Sequence, residues 1–157
     1  MALVAGLAAA AVVAGSAAAA RPMFLLNVHA RLAPVAGTKA AGSFDGELVL
    51  SSGSKTSGTA SLPRAAVPWR LSWRLSLPAL KGAMTASLHL RAANGAAPAT
   101  RTLCTHCGTA VSGTMTLTGT QALRITQADS FVVVSTRSAT LRGPIKVFVR
   151  VPVQSAR

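Results

Sequence analysis

Cys104-Thr-His-Cys107-Gly is the one motif in this 157-residue chain whose residue types and spacing suit redox or metal chemistry. Two thiols separated by two residues read as a redox dithiol, as half of a zinc knuckle, or as a local disulfide. A structural zinc site takes four ligands. The chain supplies two Cys and three scattered His: His29, His89 and His106. A reactive dithiol of the thioredoxin kind belongs to a helix start in an α/β fold, and the pattern around these cysteines is that of strands. The expectation is a structural disulfide between Cys104 and Cys107. Thr105, His106 and Gly108 suit a tight turn there, and no third Cys competes. Such a bond forms in an oxidising compartment.

The histidines define the main alternative. His29 and His89 could meet across strands, and His106 lies beside the cysteines. A copper- or zinc-binding protein shaped like copper/zinc superoxide dismutase is the reading that would use them. Asp45, Glu47 and Asp129 are the only acids, so carboxylate-pair catalysis has few candidates. There is no Ser-His-Asp arrangement, phosphate loop or nucleotide fingerprint. The sequence reads as a non-enzyme, with no catalytic residue, no resident metal and no cofactor.

Sixteen Lys and Arg against three acids give a net charge of +13. A surface of that sign attracts polyanions. The charges are spread singly, however, and the chain has only four Phe, two Trp and no Tyr to offer a stacking platform for bases. The best candidate for a basic patch is Arg70, Arg74, Lys146 and Arg150. These occupy the solvent parity of two strands, and they would form one patch if those strands were neighbours. The bland alternative is that the basic residues solubilise outer strand faces.

The elements that must position these groups are strands. In Val67 to Leu77, the residues Val67, Trp69, Leu71, Trp73, Leu75 and Leu77 share one parity, while Arg70, Ser72, Arg74 and Ser76 share the other. A period of two puts all the apolar groups on one face of a half-buried strand. Similar alternation occurs from Ser43 to Leu50, from Ala83 to Leu90 and from Pro144 to Val151. Met23 to Ala30, Thr59 to Leu62, Arg101 to Thr105 and Thr109 to Thr118 are further strand candidates. Ser130 to Thr136, with Phe131-Val-Val-Val, reads as a fully buried strand, and Thr120 to Ala128 as a helical turn. Eight or nine short strands separated by turn signals predict an antiparallel β-sandwich or flattened barrel. Its core should include Trp69, Leu71, Trp73, Leu75, Met84, Leu88, Val132, Val134, Ile145 and Val147.

Residues 1–20 carry no charge and are dominated by Ala, Val, Leu and Gly. The run from Leu3 to Ala14 has the length of a signal-peptide apolar region, and Ala18-Ala19-Ala20 before Arg21 offers a small-residue cut. The expected organisation is a signal peptide, 1–20, followed by one β domain, 21–157. The alternative is a retained anchor; about nineteen apolar residues just span a bilayer, but Ala gains little there. No later stretch is long enough to span. The expected location is secreted, periplasmic or at the cell surface.

From Trp69 onward the order of features resembles a known family. Trp69-Arg-Leu-Ser-Trp-Arg-Leu-Ser-Leu-Pro-Ala-Leu-Lys-Gly is followed by Ala83-Met-Thr-Ala-Ser-Leu-His-Leu, then by a Gly/Pro loop and Gly113-Thr-Met-Thr-Leu-Thr. Phe131-Val-Val-Val-Ser-Thr and Leu141-Arg-Gly-Pro-Ile close the series, and Leu32-Ala-Pro-Val-Ala-Gly-Thr with Ala41-Gly-Ser-Phe fits its start. This resembles the CHRD domain, named after chordin and common in secreted bacterial proteins, and the resemblance covers about the whole chain after residue 20. It implies an extracellular β domain, with protein binding known in the chordin setting; the expected partner is an unidentified secreted or cell-surface protein. The departures fall on the family's histidines. Its His-x-His coincides with Ser87-Leu88-His89, its Asn-Val-His-Thr histidine with Ser135, and its Gly-Glu-Ile-Arg-Gly acid with Thr140 or Leu141. One remaining His cannot by itself hold a transition metal.

Overall fold

Alternating burial along each strand builds the molecule, and the Trp strand shows it most plainly. In the structure, a computed structural model describing residues 25–36, 39–50, 68–82, 84–92, 97–127 and 130–150, Trp69, Leu71, Trp73 and Leu75 are buried while Arg70 and Arg74 are exposed. The strands in chain order are β1 (Leu25–Pro34), β2 (Gly42–Leu50), β3 (Trp69–Ser76), β4 (Met84–Leu90), β5 (Ala99–Cys107) and β6 (Ala110–Leu117). One helix, α1 (Gly119–Thr126), precedes β7 (Ser130–Ser135), β8 (Thr140–Pro144) and β9 (Lys146–Arg150). The segments 1–20 and Thr59 to Leu62 lie outside the described residues.

All strand pairs are antiparallel. The order is β5-β4-β7-β8-β1-β2-β3-β6, with β9 also on β1. Two elements turn this series into a flattened barrel. β8 and β9 run in one register along β1, from Pro34↔Leu141 to Leu25↔Arg150, interrupted only at Ile145. β1 and the β8–β9 run therefore belong both to the β4-β7-β8 layer and to the β9-β1-β2-β3-β6 layer. At the far side, the end strands β5 and β6 meet through a short turn, and Arg101 Nη2 donates to the Thr116 carbonyl at 3.3 Å across the gap.

Close backbone approach at the corner needs a glycine. A Cβ on Gly143 would collide with the Arg31 carbonyl. Inside the barrel, Gly46 and Gly113 flank Trp73 on the neighbouring strands. A Cβ on Gly113 would stand 2.7 Å from Trp73 Cζ2, so the missing side chain is the space the indole fills. All ten residues expected in the core lie there; nine are buried and Val147 is half-buried against them. α1 closes one end of the barrel with Ala122 and Ile125. Its start is fixed by a capping box, in which the Gln121 N–H donates to Thr118 Oγ1 and the Thr118 N–H donates to Gln121 Oε1.

Candidate functional site

The cysteine pair is joined, with an S–S distance of 1.96 Å. It does not close a turn. Cys104 and Cys107 both lie in β5, where the pairing with β4 slips twice, so that Leu103 and His106 have no partner on β4. The bond brackets a β-bulge, and His106 takes the φ of +83° that the extra residue demands. His106 is exposed and Cys107 is buried. The Cys107–Cys104 bond pins the bulged end of an edge strand.

The histidines are dispersed. His29 lies on β1 and its Nδ1 is 2.7 Å from Asp45 Oδ1 on β2. His89 lies on β4, which β7 and β8 separate from β1 in the strand order. His29 and His89 therefore do not meet, and His106 lies on the β5 bulge. Among the described residues no three His, Cys, Asp or Glu side chains gather as a metal-ligating group; Asp129 lies outside them.

The four basic residues are on strands that are not neighbours. β3 carries Arg70 and Arg74, and β9 carries Lys146 and Arg150; β2 and β1 intervene. At about 4.8 Å per strand step the two sets are about 14 Å apart. The register places Arg74, Asp45, His29 and Lys146 in one row across the sheet, and Arg70, Val49, Leu25 and Arg150 in another. Asp45 and Glu47 thus lie on a strand between the two basic strands. The condition on which the patch depended, adjacency of the two strands, fails because β1 inserts between β2 and β9.

A different set of side chains comes together on the opposite outer face. Antiparallel pairing sets His89 beside Phe131, Phe131 beside Pro144, and Val133 beside Arg142. The Phe131 ring stacks on His89 with centroids 5.0 Å apart and planes 4° apart. The Arg142 guanidinium lies over the same ring, 3.8 Å from its centroid, and that of Arg91 stands at 5.8 Å. A cation over an aromatic face is held by the ring quadrupole while its N–H edges stay free. His89 is fixed by two hydroxyls: Ser87 Oγ lies 2.9 Å from Nε2 and Thr100 Oγ1 lies 3.3 Å from Nδ1. Burial lowers its pKa below 6.5, and the positive charge of Arg142 lowers it further. His89 is thus a neutral stacking partner at neutral pH.

Beside this cluster lies an open groove of about 390 Å³ lined by Ala33, Pro34, Val35, Arg91, Ser130, Phe131, Arg142 and Pro144. Val35 is 62 % exposed, one of two large apolar residues so exposed among the described residues. Sequence reasoning missed this site because Phe131 reads as core within Phe131-Val-Val-Val. In the fold Phe131 and Val133 face outward, half-buried, and only Val132 and Val134 face inward. The available signal was parity: Arg142 and His89 both fall on the polar face of their strands.

No family model matches this chain, and no curated protein or solved structure matches it either.

Proposed function

We propose that this chain is an exported, non-enzymatic interaction module of the CHRD type, and that it binds a secreted or cell-surface protein through the outer face of β4, β7 and β8. The observation that carries the reading is the groove beside Phe131. It combines an exposed apolar wall with two guanidinium groups oriented by an aromatic ring. A rigid sheet that presents aromatic and Arg side chains has the composition of a binding hot spot. Support for export comes from the uncharged apolar run at residues 1–20 and from the Cys104–Cys107 bond. The order of motifs around Trp69, Gly113, Phe131 and Leu141 supports the family.

Cell fractionation followed by mass spectrometry of the N-terminus tests export. A processed chain outside the cytoplasm is the expected result, and a cytosolic chain beginning at Met1 would overturn it. Metal analysis of protein purified without a His tag tests the non-catalytic reading. Stoichiometric copper or zinc would replace it with the metal-binding alternative.

A further inference from the structure

We propose that the groove between Arg91 and Arg142 takes an acidic segment of the partner protein, a carboxylate side chain seated on the guanidinium groups with an apolar neighbour against Val35 and Pro34. The inference rests on the interaction-module reading and names the chemistry of its partner. Three observations carry it.

The first is charge complementarity. Arg91 and Arg142 have no carboxylate partner among the described residues. The chain has three acids in all. Asp45 is engaged by His29, Glu47 lies on β2 in the other layer, and Asp129 lies outside the described residues. The second is orientation. The Arg142 guanidinium lies over the Phe131 ring, 3.8 Å from its centroid, and a planar guanidinium held there suits the two-pronged recognition of a carboxylate. The third is the apolar wall. A purely ionic polymer gains nothing from Val35, Pro34 and Pro144, whereas a peptide with an apolar residue beside its Glu or Asp buries surface against them. β7 and β8 are both paired on their two sides. Side chains, not backbone strand addition, must therefore make the contact.

The test is fluorescence anisotropy of tetramethylrhodamine-labelled, C-terminally amidated Val-Glu-Leu-Glu-Val, titrated with the full chain and compared with the Val-Gln-Leu-Gln-Val peptide. The acidic peptide is expected to bind and the Gln peptide to bind at least tenfold more weakly. Arg142→Ala should weaken the acidic peptide at least tenfold, and Arg142→Lys and Phe131→Leu several-fold. Arg74→Ala, a change of equal charge in the other layer, should leave binding within twofold. Circular dichroism melts check that each variant is folded. If Phe131→Leu proves unstable, Arg142→Lys and Arg91→Ala, both at exposed positions, carry the comparison. Equal binding of both peptides, equal weakening by Arg74→Ala and Arg142→Ala, or no binding at millimolar protein would overturn the proposal. So would heparin that depends on Arg142 while the peptide does not bind, since that marks a polyanion site. A metal-free, exported chain that ignores the peptide loses this inference alone. A chain with stoichiometric metal loses the interaction-module reading itself.

Discussion

The two outer faces of the barrel use the same residue types to opposite effect. On the β9-β1-β2-β3 face, Asp45 stands in the row between Arg74 and Lys146 and holds His29 at 2.7 Å, and Glu47 lies in the next row, beside Ser72 and Asn27. Charge of both signs is interleaved there, beside a shallow depression lined by Asn27, Ser72, Trp73 and Thr114. On the β4-β7-β8 face no described acid is present; two guanidinium groups and a neutral imidazole surround one Phe ring. Among the described residues, both acids, Asp45 and Glu47, lie on the first face, so the field of the basic side chains on the second has no described counter-charge. The count of basic residues does not locate a binding surface; the position of the few counter-charges does.

The largest test of this contrast removes the core both faces share. Trp73→Ala should cost about 3–5 kcal/mol in urea unfolding, as truncation of a buried aromatic does. Peptide binding and any heparin binding should fall together in that variant. Loss of one alone would mean that the faces do not depend on a common barrel. Next is the disulfide. The Cys104→Ser/Cys107→Ser double variant should lose about 2 kcal/mol or less, because the closed loop is very short. Thiol counting on denatured, unreduced wild-type protein should find no free thiol, and two free thiols would refute the bond.

Smaller effects separate the faces directly. Asp45→Asn removes the charge on the mixed face and should change stability by about 1 kcal/mol or less, as expected for an exposed pair. Together with Glu47→Gln it should raise the salt needed to elute the protein from heparin, because it uncovers Arg74 and Lys146. An unchanged elution point would show that these acids do not screen that face. The smallest effect is a slope against pH. The pKa of His89 is lowered in the folded state, so the unfolded chain takes up its proton first as pH falls below 6.5. Stability held by a neutral His89 is present above pH 6.5 and is lost as pH drops through the folded value. His89→Gln should flatten this part of the stability–pH curve. An unaltered slope would place the titrating group elsewhere.

How much of this was legible in the sequence follows from the range of the forces involved. Side-chain alternation is a property of one strand, so Trp69, Leu71, Trp73, Leu75, Val132 and Val134 could be assigned to the core without knowing any neighbour. The Cys104–Cys107 bond was legible for the same reason, since both partners lie within four residues. Its setting was not, because the bulge at His106 exists only relative to β4. An antiparallel β fold, sandwich or flattened barrel, with its inward Trp pair was therefore determined by the sequence. Which strands lie side by side was decided only by the tertiary structure, in which β8 and β9 run in one register along β1. That pairing separates Arg70 and Arg74 from Lys146 and Arg150, parts His29 from His89, and brings Arg142 over Phe131 from a neighbouring strand. Register between distant segments is set by the packing of the whole barrel, and no local pattern in the chain encodes it.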